Sequence, residues 1–255
     1  DRFRGRIIFP IRDGQGRCIG FGGRAMDPNA RAKYLNSPET PLFDKGRNLY
    51  NLGPARSAVA KGQRLVVAEG YMDVIALARA GFEGAVAPLG TAITEEQLRL
   101  MWRVSPEPVI ALDGDAAGQR AAQRLIDLAL PLTGPGQALR FVILPAGQDP
   151  DDLIKASGPG AMGVLLDQAR PMLDLLWGRE TQGQVFDSPE RKAALDRRLA
   201  EAVARIPDER TRALYSEDIR RKQWELFGGG ARKTTPRGGA GGPGRAGAPR
   251  GVPGP

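Results

Sequence analysis

The sequence contains no histidine and a single cysteine, Cys18, in 255 residues. Without histidine, this chain cannot carry a Ser-His-Asp or Cys-His catalytic group or a histidine-ligated metal. One cysteine also excludes an internal disulfide framework and a cysteine-rich zinc site. Any chemistry performed by these residues must therefore use carboxylates, lysines or arginines, hydroxyl groups and hard metal ions.

Long apolar runs are also missing. No stretch approaches the roughly 18 residues of a membrane span, and no signal peptide is recognisable. We therefore expect a soluble, cytoplasmic protein that makes no membrane contact. The sequence opens without Met on a strand-like stretch, "RFRGRIIFPIR", so we expect a fragment of a longer protein.

Charge is unevenly distributed along the chain, whose formal net charge is +8. Residues 1–64 carry 13 basic and 5 acidic side chains, residues 65–228 carry 19 and 24, and residues 229–255 carry 5 and none. Basic surfaces bind polyanions such as nucleic acids, whereas grouped carboxylates bind cations. The distribution indicates a protein that contacts a polyanion with one part and holds cations with another.

The N-terminal region shows strand and turn signals. Residues 2–26 predict a β-hairpin around the turn "DGQG". Because Arg2, Arg4 and Arg6 are spaced by two, we expect them on one face of its first strand. The following segment, "KYLNSPETPLFDKGRNLYNLG", predicts an ordered but irregular loop, a type of segment that often carries function.

From Gln63 onwards, near-continuous apolar runs alternate with helical patterns of about ten to fifteen residues. This pattern predicts a parallel sheet that is covered by helices on both faces. Thr94 and Gln97 have the spacing of a capping box. Residues 158–226 predict helices, the first interrupted by Pro171, and the three tryptophans are expected in the core. The last 27 residues, with 10 Gly and 5 Pro, predict a disordered linker.

Carboxylates follow three strands of the predicted sheet. In open parallel sheets, ligands bind at the carboxyl ends of the strands. A lone Asp at such a position is usually a helix cap, but acids after three strands favour a shared site. Asp73 lies one helical turn past the first acid. The acids that follow the strands are Glu69, Asp113, Asp115, Asp149, Asp151 and Asp152.

Asp113 and Asp115 lie one residue apart and need a neutralising charge. At about 4 Å and an effective dielectric constant near 20, two such charges repel by roughly 4 kcal/mol. A carboxylate group without His or Cys selects oxygen-preferring cations, Mg²⁺ or Mn²⁺. The neighbouring Gly114 and Gly118 would let a phosphate approach the backbone at the start of the next helix.

Four segments resemble the TOPRIM fold of primases, topoisomerases and some nucleases: "EGYMD" (69–73), "PLGTAITEEQ" (88–97), "DGDAAGQRAA" (113–122) and "QDPDD" (148–152). The general TOPRIM pattern is a Glu on one strand and a DxD motif on a later one, here Glu69 with Asp113 and Asp115. The resemblance implies a TOPRIM-type α/β fold, a parallel sheet with helices on both faces.

The flanking sequence resembles one family more closely. The run "RFRGRIIFPIRDGQGRCIGFGGR", followed by "KYLNSPETPLFDKGRNLYNL" and "EGYMDVIALARAG", is similar to the bacterial replicative DNA primases, the DnaG family. The implied parts are a partial basic, mostly-β subdomain (1–63), the TOPRIM domain (64–157), a small helical subdomain (158–227) and the linker (228–255).

The family resemblance also implies site residues and an activity, DNA-dependent synthesis of short RNA primers by metal-assisted nucleotidyl transfer. Glu69, Asp113 and Asp115 would be catalytic, with Glu69 as acid/base or metal-bridging residue and Asp73 in support. The metal, Mg²⁺ or Mn²⁺, would be held by Glu69, Asp113, Asp115, Asp149 and Asp151. Template and nucleotide would be bound by Arg2, Arg4, Arg24, Lys33 and Lys45.

Further partners follow from the same resemblance. They are the single-stranded DNA template, ribonucleoside triphosphates and the replicative helicase, the last bound through a C-terminal domain absent from this sequence. Zinc is expected only in the family's N-terminal domain, which is also absent here. We expect a monomer acting at the replication fork.

Two other functions stay open on the residues alone. A TOPRIM nuclease or topoisomerase-like enzyme would use the same carboxylates to cleave DNA, although none of the four tyrosines lies in a segment that resembles a DNA-gate domain. A non-catalytic nucleic-acid-binding scaffold would use the fold as a platform. Incorporation of labelled ribonucleotide, strand scission and saturable Mn²⁺ binding discriminate among the three.

Overall fold

A computed structural model describes residues 2–90 and 92–228, and the predicted linker from residue 229 onwards lies outside them. The chain begins with a three-stranded antiparallel sheet of β1 (Arg6–Arg12), β2 (Cys18–Ala25) and β3 (Tyr34–Asn36). β1 and β2 form the predicted hairpin, with Phe9 opposite Gly22. The hairpin prediction is therefore confirmed.

The predicted strand face of three arginines is wrong. Arg2 and Arg4 lie in a turn before β1, and only Arg6 belongs to the strand. Gly5, at φ +65°, reverses the backbone directly before the strand and so removes the alternation on which the prediction depended.

The second sheet has six strands in the order β4-β6-β5-β7-β8-β9. Its four inner strands are parallel, as predicted, whereas the two edge strands pair antiparallel. Both edge strands are only two residues long, too short to leave a recognisable pattern in the sequence. The strands are β4 (Leu49–Tyr50), β5 (Val66–Val67), β6 (Ala85–Pro88), β7 (Val109–Gly114), β8 (Arg140–Ala146) and β9 (Arg170–Pro171).

Helices cover both faces of this sheet, because its strand residues alternate between two hydrophobic clusters. Val67 and Ile110 face α1, α3, α4 and the C-terminal helices, whereas Val66 and Val109 face α2 and α5. The helices of the described residues are α1 (Leu52–Ala60), α2 (Tyr71–Arg79), α3 (Glu95–Val104), α4 (Ala116–Ala129), α5 (Pro150–Asp167), α6 (Met172–Thr181), α7 (Pro189–Val203) and α8 (Glu209–Leu226).

The helix bounds differ in detail from the predicted ones. Helix α5 begins at Pro150, not near residue 158, and Gly158 is a non-helical kink inside it. Pro171 does interrupt the helical region, because it lies in β9 and caps α6. Trp224 is 59% exposed on α8, so its predicted place in the core is wrong. The division into four parts stays a prediction.

No helix within residues 2–90 and 92–228 combines the length and apolar character that crossing a membrane requires.

The small sheet packs on the large one through Tyr71 at the start of α2. Its ring stacks on Phe9 at 5.5 Å, and its hydroxyl donates a hydrogen bond to the Asn36 side chain. A Cβ atom at Gly22 would lie 2.7 Å from that ring, so the glycine of β2 allows this contact. The packing places the basic sheet beside the carboxyl ends of the inner strands.

Candidate active site

The acidic residues lie at one edge of the large sheet. Strands β5, β7 and β8 are neighbours, and their carboxyl ends lead to Glu69, Asp113 and Asp149 in turn. The three strands are parallel, so their ends point the same way. Asp73 lies in the first turn of α2, directly after β5. The structure therefore places the three predicted acidic segments along a common edge.

Three of these acids accept hydrogen bonds from backbone amides at the starts of helices, which is the ordinary role of an Asp at such a position. Asp115 Oδ1 accepts a hydrogen bond from the Gly118 amide at 2.7 Å and caps α4. Asp149 Oδ1 accepts one from the Asp152 amide at 2.8 Å and caps α5. Asp73 Oδ2 accepts one from the Gly70 amide at 3.0 Å. Such caps satisfy the free amides of the first helical turn.

Asp113 has no such role. Its Oδ1 atom is buried and has no hydrogen-bond partner among the described residues. Burial is the largest cause that raises the pKa of Asp113 to about 7, and the charges of Glu69, Asp149 and Asp115 raise it further. A buried carboxylate oxygen without a partner costs free energy that a cation would recover.

Asp73 and Glu69 are perturbed in the same direction. Asp73 is only 7% exposed, and burial, followed by the charges of Asp149 and Asp113, raises its pKa to about 7. Burial is also the main cause of the raised pKa of Glu69, although this side chain remains exposed on one side. The Asp113 amide and the positive charge of Arg124 oppose that rise. These mutual effects show that the acids are near one another.

Two glycines allow the close packing around Asp113. A Cβ atom at Gly114 would lie 1.9 Å from the Pro145 carbonyl oxygen of β8, and one at Gly118 would lie 2.3 Å from the Asp113 carbonyl oxygen. A side chain at Gly114 would push β7 away from β8, and a side chain at Gly118 would push α4 away from β7. The structure thus gives both glycines a packing role, and the predicted approach of a phosphate stays a prediction.

A cleft of about 380 Å³ opens beside Glu69. Its walls are mostly apolar side chains of β5, β7 and the loop after β6, and Glu69 and Arg124 supply its charged groups. Arg124 lies on the third turn of α4. The sequence analysis missed it, because an arginine in an amphipathic helix is usually a solvent-exposed residue.

The basic residues predicted to bind nucleic acid lie in different places. Arg24 and Tyr34 are opposite each other on β2 and β3, and the Lys33 ammonium lies 5.8 Å from the Tyr34 ring. Burial is the largest cause that raises the pKa of Tyr34. The charge of Arg24 lowers this pKa and the charges of Asp73, Asp149 and Asp151 raise it, which fits a small sheet whose end adjoins the acids. Arg2 and Arg4 precede β1.

Arg2 donates a hydrogen bond to the Asn36 carbonyl at 3.2 Å, and Arg4 is exposed. Lys45 lies elsewhere, on a short 3-10 turn packed against α3. Among the described residues, no hydrogen bond or ion pair joins any of the five predicted bases to the acids. The acids are therefore not neutralised by these bases.

The predicted metal ligands are not assembled into a cage. Within residues 2–90 and 92–228, no group of three or more Asp, Glu or Cys side chains is already arranged to hold a metal ion. Asp151 instead forms an ion pair of 2.6 Å with Lys155. The predicted metal set therefore stays a prediction, and Asp113 is the residue whose surroundings fit a cation.

Comparison with known proteins shows the class of protein to which this chain belongs. The model of the DNA primase catalytic core N-terminal domain matches residues 1–56, and that of the Toprim domain matches residues 63–141. A crystal structure of a DNA primase domain from Pseudomonas aeruginosa superposes with a TM-score of 0.81 at 41% identity, covering 89% of this chain and 70% of that one. The chain is thus a TOPRIM protein of the primase type.

More particularly, the chain belongs to the DnaG family of DNA primases. It is 42% identical to the DNA primase of Escherichia coli K12 over 222 aligned residues. The alignment covers 87% of this chain and 38% of that protein. The chain therefore spans less than two fifths of that relative. A DnaG primase catalytic domain bound to single-stranded DNA is also similar, with a TM-score of 0.79 at 41% identity, covering 87% of this chain and 71% of that one.

Proposed function

We propose that this chain is the part of a primase that joins ribonucleotides on a single-stranded DNA template. The observation that carries the proposal is Asp113, a buried carboxylate with an unpartnered oxygen among like charges at the edge of a TOPRIM sheet. A structural acid would be expected to have a base or an amide beside it. Family membership selects primer synthesis from the reactions that such a site could support.

The residues fit a divalent cation of the Mg²⁺ or Mn²⁺ type. The available donors are all carboxylate oxygens, which such ions prefer. Asp113 would be the central ligand, with Glu69 on one side and Asp115 and Asp149 on the other. Asp115 and Asp149 each use one carboxylate oxygen to cap a helix, so the other oxygen of each side chain can serve as a ligand. When bound, the ion supplies positive charge to the triphosphate and lowers the pKa of the attacking 3′-hydroxyl.

The protein's own residues would bind and orient the reactants. Arg24 and Lys33, on the small sheet beside the acids, would contact phosphates of template or nucleotide, and Arg2, Arg4 and Lys45 would supply further phosphate contacts. Glu69, with its raised pKa, would accept the proton of the attacking hydroxyl. That a similar catalytic domain binds single-stranded DNA supports this role for the basic residues. Ribonucleoside triphosphates would be the substrates.

The assay that tests this function measures incorporation of a labelled ribonucleotide on single-stranded DNA, with and without Mg²⁺ or Mn²⁺. We expect template-dependent synthesis in the complete protein and its loss in the Glu69→Gln variant. Strand scission without incorporation would instead identify a TOPRIM nuclease. Single-stranded DNA binding without either reaction, and without saturable Mn²⁺ binding, would identify a scaffold.

A further inference from the structure

Gln97 is the polar side chain of α3 that is fully buried, with 0% exposure. Its side-chain Oε1 atom accepts a hydrogen bond from the backbone amide of Thr94 at 3.1 Å. The backbone amide of Gln97 donates in turn to Thr94 Oγ1 at 3.1 Å. This is the capping box at the start of the helix. The cap uses the carbonyl oxygen of the side chain and leaves its NH₂ group for other partners.

Both hydrogens of that NH₂ group bind a different segment. The Nε2 atom donates to the backbone carbonyls of Lys45 and Asn48, each at 2.9 Å. Thr94 Oγ1 donates to the carbonyl between them, that of Gly46, at 2.5 Å. Three carbonyls of the turn formed by residues 45–48 are thus held by two side chains of the α3 cap, about 50 residues away in sequence.

We propose that Gln97 is a positioning residue that fixes the Lys45 turn for contact with a nucleic-acid phosphate. The inference rests on the proposed function, in which Lys45 is one of the phosphate-binding residues. A lysine on a free turn would lose backbone entropy on binding, whereas a turn already held at three carbonyls has lost it in folding. A helix cap alone needs only the acceptor of Gln97, so the two donated bonds are the sign of this second role.

The test compares Lys45→Ala, Gln97→Met and the double variant in the full chain, by the affinity for single-stranded DNA at several salt concentrations. Lys45→Ala should weaken binding on the order of threefold to tenfold and reduce the salt slope by about 0.7, the value for one phosphate contact on a single strand. If Gln97 acts through Lys45, Gln97→Met reduces the slope in the same direction and the double variant resembles Lys45→Ala.

A purely structural role for Gln97 would give a different result. Leu199→Ala, in the buried core of α7, serves as a destabilised control that should leave the salt slope unchanged. If Gln97→Met keeps the wild-type slope, or if its effect adds to that of Lys45→Ala, the positioning role is overturned. If Lys45→Ala itself leaves the slope unchanged, the phosphate contact proposed for Lys45 fails first, and the role of Gln97 fails with it.

Discussion

Two acidic clusters in this molecule have opposite surroundings. In the helical part, Asp127 accepts hydrogen bonds from Arg179 at 3.1 Å and Arg205 at 2.9 Å. Glu180 accepts bonds from Arg179 and Arg198, each at 2.8 Å. The Arg179–Asp127 and Arg198–Glu180 contacts join α6 to α4 and α7, and Arg205 joins the turn after α7 to α4. Every acid of this cluster has an arginine partner.

In the part of the chain that the structure describes, no arginine forms an ion pair with the cluster at the strand ends, which comprises Glu69, Asp73, Asp113, Asp115 and Asp149. Asp113 keeps a buried oxygen without a hydrogen bond, and both Asp113 and Asp73 have a pKa raised to about 7. Paired charges brace a fold, whereas unpaired buried charges destabilise it unless a ligand arrives. The contrast supports the proposal that the second cluster serves a bound cation, whereas the ion pairs of the first cluster serve stability.

The largest expected effect is on activity. Asp113→Ala should lower metal-dependent ribonucleotide incorporation by about three orders of magnitude or more, because several kcal/mol of charge stabilisation would be lost. Asp115→Ala should also abolish incorporation, and should in addition lose the α4 cap, worth about 1 kcal/mol. Incorporation assays and circular dichroism measure the two effects. Undiminished synthesis by a folded Asp113→Ala protein would contradict the proposed site.

The next effect is stabilisation by metal. Mn²⁺ or Mg²⁺ at about 100 times its dissociation constant should raise the free energy of unfolding by about 2.7 kcal/mol, because it binds only the folded state. Chemical denaturation with and without the ion measures the gain. Asp113→Asn should remove it, and Asp127→Ala should retain it. An equal gain in both variants would place the cation elsewhere.

Removing an ion pair from the cluster of Asp127 and Glu180 should have a smaller effect and should change only the stability of the fold. Asp127→Ala removes the partner of Arg179 and Arg205, and these side chains are partly exposed, so solvent screening limits the loss to about 1 kcal/mol. For a domain of this size, that corresponds to a fall of roughly 2–4 °C in Tm. Calorimetry measures this fall in Tm. If the Asp127→Ala variant lost primer synthesis at a temperature where it is folded, the assignment of stability to one cluster and cation binding to the other would be refuted.

A further expected effect is a difference in pH dependence. Burial raises the folded-state pKa of Asp113 to about 7, above the ordinary value of 3.8, so between these values the folded protein binds a proton that the unfolded chain has released. Without metal, the contribution of this group to stability is therefore favourable below about pH 4 and is lost as the pH rises towards 7. Asp113→Asn should flatten the stability profile in that window. Identical profiles for wild type and variant would exclude the raised pKa.

Much of the fold could be predicted from the sequence. The apolar runs at β6, β7 and β8 and the capping box at Thr94 have local signatures, and the structure confirms them. Two-residue strands leave no periodicity, so the antiparallel edges of the sheet could not be foreseen. The exposure of Trp224 was missed for a related reason. An amphipathic pattern does not tell whether another element covers the apolar side.

The candidate site was predictable in place but not in detail. Acids after successive parallel strands must lie at one edge, and the structure puts them there. The sequence could not tell that Asp115 and Asp149 cap helices while Asp113 keeps an unpartnered oxygen, because capping depends on backbone geometry. Nor could it foresee that Arg124 lines the cleft or that Gln97, beyond its capping role, contacts the turn at residues 45–48, because both depend on segments distant in sequence.

By itself, the sequence determined the order of the inner strands β5 to β8 and of the helices between them, and the positions of the acids along the chain, since both follow from local periodicity and spacing. Only the tertiary structure decided which acids are neutralised. Asp127 finds Arg205 across 78 residues, whereas Asp113 meets other carboxylates from neighbouring strands. Charge pairing depends on distances in space, and those are set by packing, not by the separation of residues along the chain.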